Sequence, residues 1–113
     1  DIFNPKTIRA TMGSIFRVPF VYVPDLAPVL EQMHAKGIHT YAAHLKGQEY
    51  YDSFSFREPT AFLIGNEGNG LSKEISDQAG QYLKIPMEGR VESLNASIAA
   101  ALLMYEAHRQ RNL

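Results

Sequence analysis

The sequence predicts an α/β domain, a mainly parallel sheet flanked by helices, and three observations carry that expectation. Strand-like and helix-like segments alternate along the chain. The run from Thr60 to Ile64 is continuously apolar, as in a strand covered on both faces. Two turn-rich segments, Gly65 to Gly70 and Met87 to Ser93, follow strand-like runs, where open α/β sheets bind ligands.

Asn4-Pro5 reads as a helix start, with a capping side chain ahead of proline, and Ile8, Met12 and Phe16 follow at four-residue spacing. Val18 to Val23 is β-branched and aromatic between Pro19 and Pro24, which predicts a strand or extended piece. Asp25 can cap a second helix, with Leu26, Val29, Leu30 and Met33 on one face and Gly37 at its end. Ile38 to Leu45 returns to strand composition, and a polar and aromatic loop leads to the Thr60 strand. Ser72 caps a short helix, Tyr82 to Pro86 forms another strand, and Leu94 to Arg111 forms a long helix with Ile98, Ala101, Leu102 and Tyr105 on one side.

The 113 residues fit one domain spanning the whole chain, with 45% hydrophobic and 20% charged residues, which excludes a disordered or collagen-like chain. A net charge of -1 means that any nucleic-acid contact must come from a local basic face. With no cysteine, disulfides, thiolate zinc sites and thiol nucleophiles are excluded. Ala96 to Tyr105, the longest mostly apolar run, covers half of the roughly 20 residues a membrane span requires, so no membrane partner is expected. The chain opens on Asp1 without an initiator Met, which we read as the mark of a processed product or an excised fragment.

A strand followed by Gly65-Asn66-Glu67-Gly68-Asn69-Gly70 and a helix invites a phosphate-binding reading. The spacing refuses it. A Walker-type loop needs Lys-Ser/Thr after its last glycine, where this chain has Leu71-Ser72, and the dinucleotide order G-x-G-x-x-G is here G-x-x-G-x-G. Glu67 would also repel a phosphate at close range. A neutral or cationic guest suits the loop better, and a ligand-free glycine turn explains it equally while it is considered alone. Ser93, by spacing alone, reads as a helix cap.

Taken together, Phe62-Leu63-Ile64-Gly65-Asn66-Glu67-Gly68-Asn69-Gly70-Leu71 and Ile85-Pro86-Met87 through Ser93-Leu94-Asn95-Ala96-Ser97 resemble the second and third motifs of the SpoU (TrmH) family of S-adenosylmethionine-dependent RNA ribose 2'-O-methyltransferases, in the SPOUT superfamily. Asn4-Pro5-Lys6, Arg9-Ala10-Thr11-Met12-Gly13 and Phe16-Arg17-Val18-Pro19 resemble the segment upstream of these motifs. The resemblance covers nearly the whole chain. It implies a SPOUT-type sheet with a C-terminal deep trefoil knot, an exception to the rule that chains avoid knots. It also implies a methyl donor held by main-chain groups at Gly65, Ile85 and Leu94, with Ala42 as a weaker candidate for the remaining wall.

The resemblance further places Glu67, Ser93 and Asn95 in the catalytic surroundings, where Glu67 would hold an Arg and Ser93 and Asn95 would hydrogen-bond the substrate or that Arg. The family's first motif, an Asn followed by an Arg that acts on the 2'-hydroxyl, is missing from this chain. We therefore expect the C-terminal part of a catalytic domain, without its first strand and helix and with little or no methyl transfer of its own. The RNA-phosphate candidates are Lys6, Arg9 and Arg17, the last two sharing a face if the first helix runs that far.

His34, His39 and His44 are five apart, a spacing that fits no metal pair, so no metal is expected. His108, Arg109 and Arg111 suit either the negative end of a helix dipole or RNA. Tyr50, Tyr51, Phe54 and Phe56 suit either burial or stacking on exposed bases. The expected protein is thus a cytoplasmic, homodimeric methyltransferase acting on tRNA or rRNA. A catalytically inactive cofactor- or RNA-binding module is the alternative from the binding class, and an unrelated nucleotide-phosphate domain is the third.

Overall fold

The structure, a computed structural model, describes residues 3–12, 14, 17–43, 49–65, 70–85 and 96–113, with the main chain only at 7, 8 and 10. The order of regular elements is α1 (Pro5–Ala10), α2 (Ala27–Ala35), β1 (His39–Ala43), β2 (Thr60–Leu63), α3 (Lys73–Gln78), β3 (Gln81–Leu83) and α4 (Ala96–Arg111). The strands form one parallel sheet in the order β2-β1-β3. The α/β expectation is met, and the central strand is the one whose composition was least distinctive.

In β1, Thr40, Tyr41 and Ala42 are all buried, and alternation sends them to opposite faces. On one face Tyr41 joins Phe56, Leu83 and Leu103 of α4, with Phe62, Phe54 and Tyr51 packed around them. Tyr41 and Phe56 meet edge to face at 5.1 Å, and Phe56 and Phe62 at 5.0 Å, a geometry that matches the ring quadrupoles. On the other face Ala42 joins Leu63 and Leu30 of α2, with Met33, Leu71, Ile75 and Tyr82 packed beside them. The sheet is therefore covered on both sides, as the apolar run of β2 required.

Local signals explain several element ends. Asn4 Oδ1 accepts from Lys6 N–H at the start of α1. Asp25 Oδ1 accepts from Ala27 N–H, and Ser72 Oγ accepts from Ile75 N–H. Gly37, at φ +78°, closes α2: Ile38 N–H donates to Met33 O and Gly37 N–H donates to His34 O, the paired bonds of a glycine-terminated helix. At the N-terminal edge of the sheet, the Thr40 hydroxyl accepts from Gly80 N–H at 2.8 Å and is hydrogen-bonded to His34 Nε2 at 2.8 Å, tying β1 to the start of β3.

One sequence expectation is corrected and two are narrowed. The first helix stops at Ala10, because Met12 takes φ +52° and its side chain, 86% exposed, finds no core to extend the helix against. Arg9 and Arg17 thus share no helix face. Of the strand or extended piece expected at Val18 to Val23, the strand does not form: Val18, Phe20, Val21, Tyr22 and Val23 are all exposed, and Phe20 meets the rings of Phe3 and Tyr22 at 5.9 and 6.2 Å. On α4, Ile98, Leu102 and Tyr105 share one side as expected, and that side faces outward, while the buried face is Ala99, Leu103, Glu106 and Gln110.

The buried polar residues of α4 form a clamp. Gln110 Oε1 accepts from Phe56 N–H at 2.6 Å, and its Nε2 donates to Phe54 O and to Glu106 Oε2. Arg111 donates to Phe56 O and Glu58 O. Arg109 grips both Glu106 oxygens at 2.7 and 3.0 Å. The loop before β2, which has no sheet neighbour to pair with, takes its backbone partners from this helix end. Gln110→Ala should cost about 2 kcal/mol in chemical denaturation, because the buried Phe56 amide is left without an acceptor.

The same clamp predicts an acid limb. Hydrogen bonds from Arg109 and Gln110 hold the Glu106 carboxyl below its ordinary range. The unfolded chain therefore takes up the proton first, so this stability is complete above the ordinary carboxylate pKa and is lost as pH falls through the folded value. Glu106→Gln should flatten the fall in melting temperature between about pH 5 and pH 3, read by circular dichroism.

Candidate functional site

Parallel pairing decides where a ligand can sit. Ala42 lies opposite Leu63 of β2 and opposite Tyr82 of β3, so all three strands end on one edge. Gly65 follows two residues beyond Leu63 and Ile85 three beyond Tyr82, which places both on that edge beside Ala43. Gly65, Ile85, Ile64 and Ala43 are each half-buried there.

Gly65 is required by contact. A Cβ at this position would lie within 3.0 Å of the main chain of Gly70 and Leu71, so the chain after β2 returns against its own backbone. Gly70 is required by conformation, at φ +65° with open space around it.

The segment 49–51 extends the same edge. Lys84 N–H donates to Glu49 O and Lys84 O accepts from Tyr51 N–H, both at 2.9 Å, in a parallel bridge of Tyr50 with Lys84. Lys84 Nζ stands 5.8 Å from the centre of the Tyr50 ring. Neither the aromatic run nor the strand pattern announced this pairing, because an isolated bridge has no periodicity.

Of the residues singled out by sequence, Gly65, Ile85 and Ala42 are brought to one sheet end. Ala42 is fully buried within the ladder, so Ala43 forms the edge proper. Glu67, Ser93, Leu94 and Asn95 lie outside the described residues. Lys6 and Arg9 are exposed on α1, and Arg17 is exposed beyond the Met12 turn. His34 is bonded to Thr40 and His39 to Glu58 Oε2 at 2.9 Å, while His44 lies outside the described residues. Among the described residues no group of three or more His, Cys, Asp or Glu could hold a metal, and no helix is long and apolar enough to cross a membrane.

The described residues of this edge, Ala43, Ile64 and Ile85, are apolar and half-buried, a lining that suits an uncharged group. Lys84, the cation of the β3 end, is placed over Tyr50.

A parallel sheet covered on both faces, with a self-contacting glycine loop at its carboxyl edge, defines an α/β ligand-binding domain of the small-molecule cofactor class. The SpoU rRNA Methylase family matches residues 1–105. The chain belongs to that family. It is 38% identical over 104 residues to a putative TrmH family tRNA/rRNA methyltransferase, YacO, of Bacillus subtilis, covering 92% of this chain and 42% of the relative. It therefore spans less than half the length of the curated relatives it matches.

Among solved structures, the SpoU methyltransferase AviRb from Streptomyces viridochromogenes, in complex with AdoMet, is similar with a TM-score of 0.89 and 37% identity, over 98% of this chain and 46% of that one. A structure described as an RNA 2'-O ribose methyltransferase is similar with a TM-score of 0.88 and 33% identity, over 100% of this chain and 43% of that one.

The two glycines should respond differently to alanine. Gly65→Ala forces backbone apart and should abolish binding at the edge along with several degrees of melting temperature. Gly70→Ala, strained only in φ, should cost about 1 kcal/mol and leave binding measurable, read by differential scanning calorimetry and ligand titration.

Proposed function

We propose that this chain binds S-adenosylmethionine at the carboxyl edge of its sheet and serves methyl transfer to a ribose 2'-hydroxyl of tRNA or rRNA, in the cytoplasm. The observation that carries the proposal is the meeting of three parallel strand ends at Gly65, where a side chain has no room. Family membership and the AdoMet complex of AviRb support it.

When bound, S-adenosylmethionine supplies an electrophilic methyl group on a sulfonium. Main-chain groups of Gly65, Ile85 and Leu94 would hold the adenosyl part, with the wall around Ala42 on the remaining side. Ser93 and Asn95 would hydrogen-bond the ribose or the Arg of the family's first motif, which is not among these 113 residues, and Glu67 would hold that Arg where it can relieve the 2'-hydroxyl of its proton. Lys6, Arg9 and Arg17 meet RNA phosphates, a role open to them because all three are exposed. In this reading the C-terminal part of the domain carries the deep trefoil knot expected of the family.

The protein acts as a homodimer. Support comes from α4, whose Ile98, Leu102 and Tyr105 turn an apolar stripe outward, at 53%, 39% and 74% exposure. Such a stripe on a helix already packed on its other face is an interaction surface. Leu102→Glu combined with Tyr105→Glu should convert a dimer to a folded monomer in sedimentation velocity.

Calorimetric titration tests the cofactor assignment. S-adenosylhomocysteine should bind one site per chain and ATP should not; binding of ATP alone would overturn the reading. Labelled methyl transfer to bulk RNA by the product of the full natural reading frame should be lost in Asn95→Ala. A protein that binds the cofactor yet transfers nothing would instead be a binding module.

A further inference from the structure

Beside the proposed cofactor edge stands a side-chain pair with no part in the chemistry described above. Tyr50 has its backbone extended at φ −75°, ψ 155°, and the bridge to Lys84 fixes that conformation. Tyr51, the next residue, turns into the core against Tyr41, Phe56, Leu83 and Leu103. Tyr50 itself stands just ahead of the single 3-10 turn Tyr51–Ser53 and is 48% exposed. Of the four clustered aromatics, Phe56 is fully buried and Tyr51 and Phe54 are half-buried, so burial accounts for three and not for the fourth.

Position and charge give the fourth a use. Lys84 is the residue immediately before Ile85, and its ammonium lies 5.8 Å from the Tyr50 ring centre. A half-exposed ring on a pinned backbone, with a cation over one of its two faces, matches what single-stranded RNA requires of a protein: a second π-face for a base and a positive charge for its phosphate. The bridge fixes the main chain that carries the ring, so only side-chain rotation remains for the RNA to order.

We infer that Tyr50 and Lys84 form a stacking station that positions an unpaired nucleotide of the RNA at the rim of the cofactor edge. Tyr50 takes a base on its ring and Lys84 meets the adjoining phosphate. Both are positioning residues: they set where the strand lies and touch neither the methyl group nor the reacting hydroxyl. The inference rests on the RNA reading proposed above and adds the contact that fixes register next to the cofactor.

The test is fluorescence anisotropy with a labelled single-stranded RNA oligonucleotide of mixed sequence, alongside calorimetry with S-adenosylhomocysteine on the same preparations. Tyr50→Ala should weaken RNA binding at least about fivefold and leave S-adenosylhomocysteine binding within twofold, while Tyr50→Phe, which keeps the ring, should restore RNA affinity. Tyr50→Leu keeps apolar bulk without a ring and should behave as the alanine variant. Lys84→Gln, which leaves the main-chain bridge in place, should lower the slope of log affinity against log salt by about one.

Wild-type RNA affinity in a Tyr50→Ala protein that still binds S-adenosylhomocysteine overturns the inference and leaves the cofactor reading intact. Equal loss in the Phe and Ala variants also overturns it, since the ring would then not be the determinant. RNA binding by the parent without S-adenosylhomocysteine binding overturns the methyl-donor reading alone, and a parent that binds neither overturns both.

Discussion

Everything distinctive in this chain follows from β1 pairing in parallel with a neighbour on each side. A central parallel strand must be buried on both faces, and Thr40, Tyr41 and Ala42 are. α2 and α3 pack against one face and α4 against the other, and of these α3 lies on the crossover from β2 to β3. The carboxyl ends of three strands necessarily collect at one edge. No residue of that edge is chosen independently of the others, because shifting a strand by one position would exchange its two faces.

The glycines convert that edge into something a small molecule can approach. A residue with a side chain at Gly65 would displace the main chain of Gly70 and Leu71, and one at Gly70 would be strained in the left-handed region. The requirements differ in kind, one being space and the other torsion.

Much of this was legible in the sequence, and the limits have physical causes. Runs with a period or a strong punctuator read correctly: the Thr60 strand, the Ser72 cap and the Gly37 stop each depend on local chemistry alone. Val18 to Val23 has strand composition, yet pairing requires a neighbour with an open edge, and composition carries no information about neighbours. The helix beginning at Pro5 has the right spacing as far as Phe16, but an apolar stripe extends a helix only where there is a core to meet it, and Met12 meets none. At the site, Gly65 and Ile85 were found as strand ends, and the resemblance joined them. Tyr50 with Lys84 was invisible because a single bridge between distant segments leaves no pattern in either.

The long C-terminal helix shows why hydrophobicity alone misassigns a face. Its apolar residues Ile98, Leu102 and Tyr105 point outward, while Glu106 and Gln110 are buried. Burying a carboxylate and an amide is unfavourable unless each polar atom finds a partner, and here each does: Arg109 covers both carboxylate oxygens, and Gln110 bridges that carboxylate to the backbone of Phe54 and Phe56. The loop at 54–58 needs such partners because no strand runs beside it. The inward face of the helix is polar where it serves the loop's backbone and apolar where it meets Tyr41 and Leu83. Its other face carries the exposed apolar residues Ile98, Leu102 and Tyr105, an arrangement that a hydrophobic pattern read by itself would have reversed.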